Sequence, residues 1–214
     1  MFKAIFWDFG GVFTTSPFEA FNRYEREHGL PTDFIRGVNA TNPDHNAWAK
    51  LENSEISVAE FDQLFMQESE ALGHRVSGTD VLGLLAGDLR PRMIRALKKV
   101  KEHYAVACLT NNIKGAGKGP GMATDPEKAA QITELMQLFD FVLESSVVGA
   151  RKPESRFYEI ALERAGVDAA DTLFLDDLGI NLKSARALGM TTIKVVSEQQ
   201  ALDELSALLS LELS

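Results

Sequence analysis

The chain has 214 residues, 45% of them hydrophobic and 25% charged, a globular balance that excludes fibrous, disordered and low-complexity classes and allows one core, or one core with a small insert. A formal net charge of −9, with no Lys/Arg cluster interleaved with aromatics to offset it, argues against nucleic acid and anionic lipid as partners. The lone cysteine, Cys108, excludes an intramolecular disulfide; no stretch approaches the roughly 20 apolar residues of a membrane span; and Asp8 interrupts the N-terminus before an apolar signal segment forms, so a cytoplasmic location is expected.

In chain order, the first element is a short apolar run from Lys3 to Asp8 that predicts a strand. Pro17 to about Leu89 contains no convincing strand. It holds amphipathic stretches at Phe18 to His28 and Val58 to Leu72, with Phe18, Phe21, Phe61, Phe65 and Leu72 at helical spacing, which predicts a helical insert with these side chains as its core. A helical pattern from Pro91 to His103 leads into a strand from Tyr104 to Thr110, where Cys108 reads as a small buried hydrophobe. The glycines between Lys114 and Met122 follow this strand but match neither G-x-G-x-x-G nor G-x-x-x-x-G-K-[ST], so a surface loop bordering the site is expected. Helix Pro126 to Leu138, strand Phe139 to Ser145, helix Pro153 to Ala165, strand Thr172 to Asp176, helix Asn181 to Leu188, strand Thr191 to Val196 and helix Glu198 to Leu209 complete the pattern. Short, β-rich, nearly continuous apolar runs are how strands buried on both faces read. Their alternation with helices predicts an α/β fold with a doubly wound parallel sheet.

The residues able to do chemistry collect at the strand ends. Asp8 ends the first strand, Thr110 and Asn111 the second, and Asp176 with Asp177 the fourth; in open α/β sheets ligands bind outside the carboxyl ends of the strands. Lys152 stands just before the helix that Pro153 and Glu154 open, where a cation opposes the helix dipole, so an anion is expected beside it. If Asp8, Asp176 and Asp177 converge, each like-charge pair near 4 Å costs about 4 kcal/mol at an effective dielectric of 20, and a phosphate would add to the repulsion. A hard divalent cation with oxygen ligands resolves this, which predicts Mg²⁺ as cofactor. The histidines, His28, His45, His74 and His103, lack ligand spacing.

Asp8-Phe9-Gly10-Gly11-Val12, Leu109-Thr110-Asn111, Lys152-Pro153 and Phe174-Leu175-Asp176-Asp177 through Asn181 resemble, in order, the four motifs of the haloacid-dehalogenase superfamily. The similarity covers nearly the whole chain and is nearest to the phosphatase-like N-terminal domain of soluble epoxide hydrolases, in DFGGVFTTSPF, FDFVLESSVVGARKPESRFYEIAL and FLDDLGINLKSARALGM. The resemblance implies a Rossmann-like core over 1–15 and 90–214, with residues 16–89 as a helical cap. It implies Asp8 as nucleophile, with Thr110, Asn111, Lys152 and Gly10 at the substrate, and Asp8, Asp177 and the Gly10 carbonyl on Mg²⁺. Asp176 would stand in or next to the metal shell and Asn181 would orient. Epoxide hydrolase activity is not implied, because that chemistry needs a second α/β-hydrolase domain and the chain has no G-x-S-x-G-like elbow.

One departure bears on the reaction. The family's phosphatases usually carry an acid two residues after the nucleophile, where this chain has Gly10. General acid-base catalysis typically contributes about 10² to 10⁴-fold. Three readings follow: an Mg²⁺-dependent phosphatase of a small phosphate ester with a good leaving group or an acid from the cap, a haloacid dehalogenase whose halide departs without a proton, or a weakly catalytic module that binds a phosphate ligand. The expected partner is a small-molecule phosphate ester, with no nucleic acid or membrane partner, and the sequence is silent on oligomeric state.

Overall fold

Four consecutive apolar residues, Ala4–Trp7, make the first strand, β1, and all four are buried. The computed structural model describes residues 1–85, 87–112 and 126–213. After β1 the chain enters five helices: α1 (Pro17–Glu27), α2 (Phe34–Ala40), α3 (Ala47–Glu52), α4 (Val58–Ala71) and α5 (Gly78–Gly83). The start of α4 is fixed by a capping box in which the Glu60 amide donates to Ser57 Oγ at 3.3 Å and the Ser57 amide donates to Glu60 Oε2 at 2.8 Å. These helices enclose an apolar cluster of their own that includes Phe21, Ile35, Leu51, Phe61, Phe65 and Val81, with Phe18 partly buried against it. Leu72, expected in that core, is exposed: the helix ends at Ala71 and Leu72 is its C-cap, beyond the buried face.

The remaining elements are α6 (Pro91–Lys101), β2 (Ala105–Thr110), α7 (Pro126–Met136), β3 (Phe141–Glu144), α8 (Ser145–Val148), α9 (Ser155–Ala165), β4 (Thr172–Asp176), α10 (Gly179–Ala187), β5 (Thr191–Lys194) and α11 (Glu198–Leu209). The strands form one sheet in the order β3-β2-β1-β4-β5, and every pairing is parallel. Side chains alternate across it. Ile5 and Trp7 join Val106, Cys108, Leu173 and Leu175 in a core covered by α6 and α11, with Ile132 and Leu135 of α7. Ala4 and Phe6 join Ala107, Leu109 and Phe174 on the other face, covered by Phe157, Tyr158 and Leu182 from α9 and α10. Helices on both faces make the sheet doubly wound, and removing each large side chain from water contributes about 1.5–3 kcal/mol.

The differences from the predicted elements have local causes. The ladder of β3 begins at Phe141 rather than Phe139, which reaches the first core from the turn after α7, where its amide donates to the Met136 carbonyl. Ser145, predicted at the end of that strand, opens α8. The short helices α2, α3 and α5 were not predicted, because six or seven residues carry too few turns for a period to show. Leu89, placed in a segment without strands, forms an isolated antiparallel bridge with Thr14. With Thr15 N donating to Asp88 O and Arg90 N to Phe13 O, each at 2.8 Å, the chain leaves for the helical segment and returns from it side by side. The glycine-rich stretch from Lys114 to Met122 lies outside the described residues. Among those described, no helix is long and apolar enough to cross a membrane.

Candidate active site

Parallel register brings the strand ends to one edge. Trp7 pairs with Cys108 of β2 and Leu175 of β4, and the Asp8 amide donates to the Leu175 carbonyl at 2.8 Å, so Asp8 emerges beside Asp176. Lys152 reaches them from the loop between α8 and α9. Its Nζ lies 2.7 Å from Asp8 Oδ1 and 2.9 Å from Asp176 Oδ2, with only 2% of the side chain exposed. The anion expected near Lys152 is thus a pair of carboxylates. Burial alone would lower the lysine's pKa, but Asp176 and Asp8 outweigh it and hold the ammonium well above the usual range. Burial also drives the Asp8 carboxyl well above its usual range, Lys152 opposing and Asp176 and Asp177 adding to the shift.

The two oxygens of Asp8 differ. Oδ1 accepts from the Phe9 amide at 2.7 Å and from Lys152, whereas Oδ2 has no hydrogen bond among the described residues. One oxygen is clamped and the other is not. Asp176 is saturated instead: Oδ1 accepts from the Leu178 amide at 2.7 Å and Asn181 Nδ2 at 3.1 Å, and Oδ2 from Asn181 Nδ2 at 3.0 Å and Lys152 at 2.9 Å. A carboxylate has about four lone-pair positions, so Asp176 is occupied in orienting Lys152. The Asn181 carbonyl accepts from the buried Tyr158 hydroxyl at 2.9 Å, which fixes Asn181 in turn.

Asp177 completes the group. Burial and then Asp176 push its carboxyl up to about 6, against the pull of Lys152 and Arg90. Asp177 lies against the backbone of Gly11, which has φ +71°, and a Cβ on Gly11 would run into the Asp177 carboxylate. The neighbouring Gly10 is the opposite case: its φ is ordinary and a Cβ there would meet nothing within 4 Å. Arg90 steadies the loop by donating from Nη1 to the Gly11 carbonyl at 2.8 Å.

Among the described residues, one oxygen from each of Asp8, Asp176 and Asp177 lies within 4.8 Å of the others. Three carboxylates crowd around one ammonium, and the donors are all hard oxygens. The set fits a small divalent cation of the Mg²⁺ type, with Asp8 and Asp177 holding the oxygens not already engaged.

Thr110, at the end of β2, is 9% exposed, and its hydroxyl lies 3.5 Å from the Asn111 carbonyl, too far to be held firmly. The Asn111 side chain is turned to Lys152, donating from Nδ2 to its carbonyl at 3.0 Å and accepting from its amide at 2.9 Å. Its backbone N–H makes no hydrogen bond among the described residues.

Three residues at this edge escaped the sequence reading, two of them as a pair. Arg151 donates from Nη1 to Glu52 Oε2 at 2.7 Å, and Glu52 comes from α3 in the helical segment. Burial raises the Glu52 carboxyl above its usual value, with Arg151 pulling it back. Nothing in AWAKLE marks Glu52, and 99 residues separate the partners. Gly11 also escaped, since a Gly-Gly pair does not say which member needs positive φ.

Residues 2–189 match the family model for haloacid dehalogenase-like hydrolases. Bifunctional epoxide hydrolase 2 of Mus musculus is 30% identical over 197 residues, which cover 87% of this chain and 35% of that protein. Sesquiterpene phosphatase astK of Aspergillus oryzae is 27% identical over 213 residues, 97% of this chain and 96% of that one. The chain spans well under half the length of the mammalian proteins it matches. In fold it resembles a HAD family enzyme of Bacteroides thetaiotaomicron solved with magnesium and inorganic phosphate, with TM-score 0.56 and 22% identity over 91% of this chain and 94% of that one.

Proposed function

The chain belongs to the haloacid dehalogenase-like hydrolases, and from that premise we propose that it is an Mg²⁺-dependent phosphatase of a small phosphorylated metabolite, working through a phosphoryl group carried on Asp8. The observation that carries this reading is the asymmetry of Asp8, one oxygen clamped by Phe9 and Lys152 and the other without a partner among the described residues. The free oxygen attacks phosphorus as the bond to the leaving oxygen breaks, and water then splits the aspartyl-phosphate. Lys152 neutralises phosphoryl charge and keeps Asp8 in line. Among the described residues the Thr110 hydroxyl is only loosely held and the Asn111 N–H has no acceptor, so both suit the transferring oxygens. Asp8, Asp177 and the Gly10 carbonyl would hold Mg²⁺, with Asp176 behind them orienting Lys152. When bound, the cation supplies neutralisation of the phosphoryl oxygens. Residues 1–15 and 90–214 serve as the core and 16–89 as the cap over the site.

Gly10 sets the substrate preference. With no acid at that position, leaving groups that depart without a proton are favoured, so an acyl phosphate, or an aryl phosphate of an acidic phenol, should be hydrolysed at least about a hundredfold faster than a simple alkyl phosphate. Because a Cβ at Gly10 meets empty space, Gly10→Asp should fold normally and narrow that gap. An unchanged gap in a well-folded Gly10→Asp enzyme would refute the missing-acid argument. The missing acid also suits haloacid dehalogenation, but that reaction leaves the excess charge of Asp176 and Asp177 without a purpose. A panel of phosphate esters and haloacids, assayed with and without Mg²⁺, separates the two readings: metal-free halide release would overturn the phosphatase, and ligand binding without turnover would leave a binding module.

A further inference from the structure

We propose that Glu52 is a positioning residue: the helical segment uses this one carboxylate to set Asn111 and, through it, the backbone of Lys152, so that the phosphate-binding groups are aimed only when that segment is seated. The inference rests on the phosphatase reading. Glu52 ends α3 and its side chain is 12% exposed. Its Oε1 accepts from Trp48 Nε1 at 3.0 Å; its Oε2 accepts from Arg151 Nη1 at 2.7 Å and lies 3.4 Å from Asn111 Nδ2. Three donors aimed at two oxygens hold it as an acceptor, so it is not the proton donor missing at Gly10.

What it touches defines what it does. Arg151 precedes Lys152 and spans two points of the helical segment, with Nη1 on Glu52 and Nη2 on the Pro43 carbonyl at 2.8 Å. Asn111 brackets Lys152 by bonding both its amide and its carbonyl. The Glu52 carbonyl itself accepts from Ser145 Oγ at 3.3 Å, and that hydroxyl in turn accepts from the Asn112 amide at 3.1 Å. Both residues that frame Lys152 are therefore tied to Glu52, and Lys152 carries the ammonium between Asp8 and Asp176. A group that orients another ligand-binding group typically costs about 10 to 100-fold when removed.

The test has two readouts on the full chain. Exchange of the Lys152 amide, which Asn111 Oδ1 protects, is followed by NMR, and binding of inorganic phosphate in the presence of Mg²⁺ is followed by calorimetry. Glu52→Ala should accelerate Lys152 exchange and weaken phosphate by about tenfold or more. Glu52→Gln, which keeps an oxygen acceptor for Asn111, should recover most of the protection. Arg151→Gln breaks the same link from the opposite side and serves if Glu52→Ala does not fold. Wild-type Lys152 exchange in the folded variants would overturn the inference. So would an even rise in exchange across α3 and α4 with the phosphate Kd unchanged, the mark of a purely structural contact. If wild type binds no phosphate at all, the phosphatase reading fails, and the exchange measurement still decides the role of Glu52.

Discussion

The floor of the site and the wall beside it are held in different ways. On the floor, at the ends of β1 and β4, the side chains of Lys152, Asp176 and Asn181 are buried and bonded: Lys152 to two carboxylates, Asp176 to three donors, and Asn181 to Asp176, with its carbonyl held by the Tyr158 hydroxyl. The wall, from α3 and the loop before it, meets the floor through Arg151 and through a longer 3.4 Å contact between Asn111 and Glu52. The floor is internally charge-coupled, and the helical segment reaches it only from behind, through the residues that flank and bracket Lys152. The wall adds aim without adding a reacting atom. Breaking the floor should therefore cost chemistry or the fold itself, and breaking the wall mainly affinity.

The largest effect falls on Asp8. Asp8→Asn should reduce turnover of an acyl phosphate by more than about a thousandfold, as expected when a nucleophile is removed, with a melting temperature near wild type because one of three crowded carboxylates loses its charge. Activity in the purified variant, beyond slow deamidation, would end the case for covalent catalysis there. Next comes Lys152→Met, which leaves Asp8 and Asp176 buried without their cation and should cost about 3–5 kcal/mol in urea unfolding. If Lys152→Met and Glu52→Ala destabilise equally, the contrast between floor and wall is lost.

Neighbouring glycines sharpen the comparison within the floor. Gly11→Ala meets both a left-handed backbone and the Asp177 carboxylate, and should cost about 1–2 kcal/mol or more. Gly10→Ala, with an ordinary φ and open space, should stay within about 0.5 kcal/mol of wild type. Equal costs in chemical denaturation would mean the loop after β1 is not shaped as described.

The smallest effect is one of pH. Asp177 has a folded-state pKa of about 6, above its usual value, so its contribution to stability is complete at low pH and is lost as pH rises through about 6. Metal-free protein should accordingly melt higher at pH 5 than at pH 7, by roughly 2–4 °C per kcal/mol of the effect. Millimolar Mg²⁺ at pH 7 should raise the melting temperature, and Asp177→Asn should remove most of that rise and reduce the pH response, to which the raised Asp8 carboxyl also contributes. Absence of any Mg²⁺ shift in wild type, even with phosphate present, would count against the metal assignment.

The sequence showed the floor and missed the wall, for physical reasons. Strands buried on both faces must be apolar throughout, so β1, β2 and β4 stand out as runs, and the first polar residue after each marks the edge where Asp8, Asn111 and Asp177 emerge. Lys152 was legible because a cation ahead of a helix needs an explanation. Glu52 and Arg151 were not, because a surface-type acid and base become a buried pair only through packing between distant parts of the chain. Phe139 shows why strand ends were overrun: an apolar residue can join the core from a turn as well as from a ladder. Saturation of Asp176 was equally hidden, since the adjacent Asp176-Asp177 letters do not say which carboxylate is occupied.

The paired backbone at Thr14 and Leu89 has a consequence for how such a molecule can change over generations. Because the outgoing and returning strands of chain run against each other at one point, the helices between them are attached as a cassette with adjacent ends. Lengthening, shortening or exchanging that cassette leaves β1 paired to β2 and β4, and insertions joined at neighbouring ends are the kind a fold tolerates. New side chains can thus be brought to the sheet edge while Asp8, Lys152 and Asp176 stay on their own elements, so that under the proposed function a change of substrate need not be a change of reaction.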